Sequence, residues 1–207
     1  DGDGDGVIMV ELLGNIVDGD ERLYVIARDR RLQSIEFGGV VGTAMSNLGL
    51  ELALDALDVP FVRTPVGDRY VMKEMLDRDW YLGGENSGHI VCLSITSTGD
   101  GIISALQALA AIVNCEQPLS DLCSKMRKLP QSMVNIKVAN VVDITQNKTV
   151  QSAVSDVESK LGKNGRVLLR PSGTEPVLRV MVEGEDIDVV DKLVHELSEV
   201  VATEFAS

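Results

Sequence analysis

Three acidic residues alternate with glycine at the start of the chain: Asp1, Gly2, Asp3, Gly4, Asp5 and Gly6. Carboxylates two residues apart repel one another unless a cation sits between them, and glycine lets the backbone wrap closely around such an ion. Hard oxygen donors favour magnesium, calcium or manganese over zinc or copper. An EF-hand loop would also need a bidentate glutamate at its twelfth position. That position is Leu12, with Glu11 one residue early, and the apolar run from Val7 to Val10 reads as a strand rather than an exiting helix. Two readings remain: a loop entering a strand of an α/β enzyme with magnesium facing a phosphate, or an acidic terminus that frays.

Further along, GGENSGH (residues 83–89) sets Glu85, Asn86, Ser87 and His89 on a glycine-flanked turn between two strands. A carboxylate and a hydroxyl side by side suit vicinal sugar hydroxyls; an ordinary Gly-Asn-Ser turn is the plainer alternative, and His89 could equally be a packed strand residue. RPSGTEP (residues 170–176) offers Arg170 as a planar fork for phosphate, Ser172 and Thr174 as hydroxyl donors, and Gly173 for an anion nest of backbone N–H groups, with Arg179 near by. Its alternative is a hairpin turn. TPVGDRY (residues 64–70) places Asp68 and Arg69 at a strand-to-helix junction, where a helix N-terminus favours anions or where Asp68 simply caps the helix. TSTGDG (residues 96–101) opens an apolar helix, with Thr98 or Asp100 as its cap.

The elements that must hold these loops follow from periodicity. Up to about Asn114 the pattern alternates strand and helix, which predicts a largely parallel sheet with helices on its faces and ligands beyond the carboxyl ends of the strands. The helix from Asp100 to Asn114 is almost wholly apolar and is expected to be buried. Pro130 marks a boundary. After it, the alternating stretch Met133–Val138, a helix with Val150, Val154, Val157 and Leu161 on one face, two further strands and a closing amphipathic helix describe a smaller unit. The fold expected is an α/β domain with a parallel or mixed sheet and helices on both faces, followed by a small α+β domain. The divisions expected are residues 1–15 as the metal loop and final strand of a preceding domain, 16–129 as the α/β sugar-binding domain, and 130–207 as the phosphate-binding domain.

Composition narrows the function classes. A formal net charge of −13 argues against nucleic-acid and anionic-membrane partners, which call for basic patches. No apolar run reaches the roughly 18 residues of a membrane helix, and no signal peptide precedes the first strand. The three cysteines, Cys92, Cys115 and Cys123, lack metal-ligand spacing and read as reduced thiols of a cytoplasmic protein.

The acidic loop, GENSGH and RPSGTEP, in that order and at these separations, resemble the α-D-phosphohexomutase superfamily, and VGTAMSNLGLE and VGDRYV resemble its bacterial phosphoglucosamine mutases. The resemblance runs from Asp1 to the end of the chain. It implies four domains around a central cleft, with this chain starting in the metal loop at the end of the second. By the same resemblance, Asp1, Asp3 and Asp5 would ligate Mg2+, and Glu85 and Ser87 would bind the sugar; Asn86 and His89 are added to the sugar-binding set from their place on the same turn. The resemblance likewise implies that Arg170, Ser172, Gly173 and Thr174 grip the phosphate and that Asp68 and Arg69 line the cleft; Arg179 joins the phosphate set from its nearness in the sequence. The reaction implied interconverts glucosamine 6-phosphate and glucosamine 1-phosphate through an enzyme phosphoserine and a bisphosphate intermediate. The substrate is then a phosphorylated amino sugar. A phosphomannomutase or phosphoglucomutase, or a non-catalytic sugar-phosphate or cation-binding module, shares these loops in kind. Two departures stand out. No counterpart of the family's nucleophilic serine loop is present, and Gly6 stands where the family has arginine.

Overall fold

Short apolar runs punctuated by Asp, Asn and Gly caps build the chain's helices and strands. The computed structural model describes residues 2–138, 147–172 and 175–205; Asp1, Gly173 and Thr174 lie outside them. By its contacts the chain divides into two units, Asp1–Lys128 and Leu129–Ser207.

The first unit opens with a two-stranded antiparallel ribbon, β1 (Met9–Val10) and β2 (Ile16–Val17). The strand expected after the acidic loop is therefore only two residues long. Its turn is tied by the Glu11 carboxylate, which accepts from the Leu13 and Asn15 N–H groups at 2.9 Å each. Helix α1 (Gly19–Leu32) begins at Asp18, whose side chain accepts from Glu21 N at 3.1 Å while Glu21 accepts from Asp18 N at 3.0 Å. This reciprocal cap satisfies two N–H groups that a helix end otherwise leaves bare. Strand β3 (Val40–Thr43) leads to α2 (Leu48–Asp55), capped by Asn47, and β4 (Phe61–Thr64) leads to α3 (Asp68–Arg78). The hairpin β5 (Leu82–Gly84) and β6 (Ile90–Cys92) precedes α4 (Gly101–Cys115), capped by Asp100, and α5 (Leu119–Cys123).

The sheet order is β4-β3-β5-β6, with β3 parallel to β4 and β5, and β6 antiparallel to β5. The expected parallel pattern thus stops at β6, because the short Glu85–His89 turn can only reverse the chain; a parallel neighbour would need a crossover. The core gathers Leu23, Ile26, Val40, Leu50, Leu54, Leu82 and Ile90.

Helix α4 corrects another expectation. Its buried residues are the small ones, Gly101, Ser104, Ala108 and Ala111, whereas Ile102, Leu106, Leu109 and Val113 stand exposed. Small side chains let α4 approach α1 closely, so the bulky apolar residues fall on the outward face.

In the second unit β7 (Gln131–Lys137), β9 (Val177–Glu183) and β8 (Arg166–Pro171) form an antiparallel sheet in the order β7-β9-β8. Helices α6 (Lys148–Leu161) and α7 (Ile187–Phe205) supply the rest of its core. Val150, Val157, Val190, Leu193, Val194 and Leu197 meet Leu178, Val180 and Val182 there. Gly162, at φ +66°, ends α6 where a side chain would be strained.

Candidate active site

In the first unit the site grows from the β5–β6 hairpin. Glu85 N donates to His89 O at 2.9 Å and Gly88 N to Glu85 O at 3.0 Å, which closes residues 85–89 into a tight turn. Two of its side chains reach outward to other loops. Glu85 Oε1 accepts from Gly67 N at 3.1 Å, which joins this turn to the start of α3. His89 Nδ1 lies 3.4 Å from Asp5 Oδ2 in the acidic loop, and Gly6 and His89 form an antiparallel β-bridge. His89 is seated against Gly99: a Cβ on Gly99 would stand 1.8 Å from Nε2. The acidic loop is also held from the other side, since Gly101 N donates to Gly4 O at 2.9 Å. Four separate loops, at residues 3–6, 67–69, 85–89 and 99–101, are therefore brought together.

The placements of the individual residues differ. Asp3 is exposed and Asp5 half-buried. No group of three His, Cys, Asp or Glu side chains poised around a metal occurs among the described residues; Asp1 lies outside them. Asp3 and Asp5 carry hard oxygen donors of the kind a divalent cation takes, and Gly4 between them has a φ of +81°. Asn86 uses its carbonyl to accept from Gly19 N at 2.9 Å, while Ser87 is exposed. Asp68 is not the cap of α3: Gly67 occupies that place without a side-chain hydrogen bond, and Asp68 Oδ1 accepts from Arg69 N at 2.6 Å instead. The exposed Arg69 guanidinium lies over the Tyr70 ring, 4.6 Å from its centroid, and donates to the Tyr70 hydroxyl at 2.7 Å.

In the second unit, Arg170 on β8 and Arg179 on β9 are direct cross-strand partners, and Arg179 is also opposite Asn135 on β7. Like charges placed opposite each other destabilise a sheet. Neither arginine has an ion-pair or hydrogen-bonded side-chain partner among the described residues, an arrangement suited to an anion. Ser172 is buried, and its N–H donates to Val177 O at 2.7 Å, so that N–H continues the sheet instead of facing a nest. Gly173 and Thr174 lie outside the described residues.

Some charged residues around the site were not singled out from the sequence. Lys128 Nζ lies 2.8 Å from Asp18 Oδ2 and 2.7 Å from Glu21 Oε2, clamping the start of α1. Asp20 is buried and accepts from Asn47 N at 2.8 Å; burial pushes its pKa up to about 7. Arg22, on the same helix, has no exposed surface. The available signal was the run Asp18, Asp20, Glu21 and Arg22 at the start of a helix that is rich in charge at both ends. Cys92, Cys115 and Cys123 are free thiols, and burial raises Cys123 to about 12. No described helix is long and apolar enough to cross a membrane.

The chain is similar to known proteins along most of its length. Residues 18–129 match the phosphoglucomutase/phosphomannomutase alpha/beta/alpha domain III, and residues 133–200 match the C-terminal domain of the same family. The phosphoglucosamine mutase of Alcanivorax borkumensis is 54% identical over 201 residues, covering 97% of this chain and 45% of that protein. That of Cellvibrio japonicus is 57% identical over 201 residues, with the same coverage. The chain thus spans about half the length of the curated relatives it matches. In three dimensions it is similar to the Aspergillus fumigatus N-acetylphosphoglucosamine mutase solved with GlcNAc-6P and magnesium. The TM-score is 0.81 at 21% identity, covering 97% of this chain and 51% of that one, a likeness of fold. On both family matches, the chain belongs to the phosphoglucomutase/phosphomannomutase family.

Proposed function

We propose that the chain supplies the sugar- and phosphate-holding parts of a cytoplasmic phosphoglucosamine mutase that interconverts glucosamine 6-phosphate and glucosamine 1-phosphate. The observation that carries this reading is the Glu85–His89 turn, tied through Glu85 to the loop before α3 and through His89 to the acidic loop. Glu85 and Ser87 accept and donate to sugar hydroxyls, with Asn86 and His89 beside them. Asp68 and Arg69 border the same turn. Arg170 and Arg179, with Ser172, Gly173 and Thr174, hold the phosphate. Asp1, Asp3 and Asp5 would hold Mg2+, which supplies positive charge beside a transferring phosphoryl group. Transfer of that group depends mainly on positioning and charge stabilisation. The nucleophilic serine is assigned to no residue of this chain: Ser46 and Ser87 stand in other loops. The substrate is a small phosphorylated amino sugar, and an acidic chain of net charge −13 suits neither nucleic acid nor anionic membrane.

A chimera tests the reading. This chain replaces the matching C-terminal part of the Alcanivorax borkumensis phosphoglucosamine mutase, and turnover is measured with glucosamine 6-phosphate, glucose 6-phosphate and mannose 6-phosphate. Preference for the amino sugar is expected. Equal or faster turnover of the mannose or glucose phosphate would move the chain to the phosphomannomutase or phosphoglucomutase reading. A soluble chimera that binds sugar phosphate without turning it over would point to a non-catalytic module.

A further inference from the structure

Arg22 lies in the first turns of α1 and is fully buried. Its Nε donates to the Asp18 carbonyl at 3.3 Å, but Nη1 and Nη2 have no hydrogen-bond partner among the described residues. Asp18, the acid whose charge acts on it, is engaged elsewhere. Asp18 Oδ1 accepts from Glu21 N, and Asp18 Oδ2 and Glu21 Oε2 both bind the Lys128 ammonium. Desolvation lowers the Arg22 pKa, and the Asp18 charge opposes that shift; a guanidinium nonetheless stays protonated at working pH. A buried cation with its terminal N–H groups unused is strongly unfavourable. Those groups form a planar fork that matches two oxygens of a phosphate.

The surroundings show where that fork lies. A Cβ on Gly88 would stand 2.6 Å from Arg22 Nη2 and 2.7 Å from the Val7 carbonyl oxygen. Only a glycine leaves room there, and Gly88 has a φ of +113°. The guanidinium thus lies beneath the Glu85–His89 turn and beside the chain leaving the acidic loop. It is next to the point where Gly6 pairs with His89. Gly6 brings no side chain to that junction, whereas Arg22 brings a full positive charge from the helix below.

We propose that Arg22 is an anion-binding residue of this site, whose guanidinium takes phosphate oxygens at the Gly88 turn. The inference rests on the reading that the chain handles a phosphorylated ligand. Because the fork is covered by Gly88, an anion reaches it as that turn shifts, and the Gly88 amide becomes a local reporter.

The test titrates the isotopically labelled full chain with inorganic phosphate and follows the Gly88 amide resonance, in the wild type and in R22M and R22K. The wild type is expected to show a saturable shift. R22M should weaken it at least tenfold while melting at the same or a higher temperature, because an apolar side chain of similar length removes an unpaired buried charge. R22K, which keeps the charge without the fork, should fall between the two and covers the case of a poorly folded R22M. A Gly88 amide that phosphate does not move in the wild type, or wild-type affinity in both variants, would overturn the proposal. A lowered melting temperature with unchanged phosphate affinity would do the same, making Arg22 structural. An inactive chimera in the preceding experiment alongside a phosphate shift abolished in R22M would sink the mutase reading and leave this inference standing.

Discussion

At the scale of single residues, chemistry is concentrated where charge is left uncompensated. Arg170 and Arg179 face one another across β8 and β9 with no acid between them among the described residues, so the phosphate proposed to bind there would relieve a repulsion as well as make new hydrogen bonds. Arg170→Ala should therefore weaken binding of glucosamine 6-phosphate by about 1.5–3 kcal/mol, the range for hydrogen bonds to charged groups. Calorimetry on wild type and variant checks this, and equal affinities would remove Arg170 from the site. The sequence motif located this arginine and its neighbour. It did not show that they form one cross-strand pair, because register is set by how β7, β8 and β9 align along their whole length.

Between elements, buried polar links decide how α1 sits. Asp20 on α1 accepts from the N–H of Asn47, the cap of α2, at 2.8 Å. Burial is the dominant influence on its pKa, raised from 3.8 to about 7; the hydrogen bond from Asn47 opposes the shift and the Asp18 charge adds to it. The folded pKa lies above the unfolded one, so the folded chain favours neutral Asp20. Its contribution to stability is fully present below about pH 4, declines as pH rises, and is lost once pH passes about 7. Asp20→Asn keeps an acceptor oxygen without the charge. Its stability advantage over wild type should grow between pH 4 and 7 and then level off, by on the order of a few kcal/mol. Urea unfolding of both proteins across that range measures it, and a difference independent of pH would show that Asp20 ionises freely. The same buried polar content blurs the periodicity of α1. Asp20, Arg22, Asp29 and Arg30 are all buried, although charged residues ordinarily mark a helix's solvent face.

For the whole molecule, the division at Lys128 and Leu129 suggests independent folding units. The second has its own sheet, two covering helices and a continuous apolar cluster from Ile136 to Val201. A fragment of residues 129–207 should unfold in one cooperative thermal transition, at a size where small domains still fold alone. Circular dichroism provides the measurement; a spectrum of unfolded chain would mean that this cluster needs the first unit to form.

Capping and turn chemistry were legible because they are local. Asp100 caps α4 through a contact within a few residues, as its place before the apolar run indicates, whereas Asp68 yields the start of α3 to Gly67; the Glu85–His89 turn follows from its glycines and its flanking strands. The family motifs were legible for the same reason, since each is a short contiguous loop. What the tertiary structure alone decided was proximity and burial: His89 against Asp5, Glu85 on Gly67, the outward apolar face of α4, and Arg22 buried beneath Gly88. Those facts depend on how closely α1, α4 and the β5–β6 hairpin approach one another. That approach is governed by small residues such as Gly88, Gly99 and Ala108 at the contacts, and spacing along the chain does not encode which neighbour each will meet.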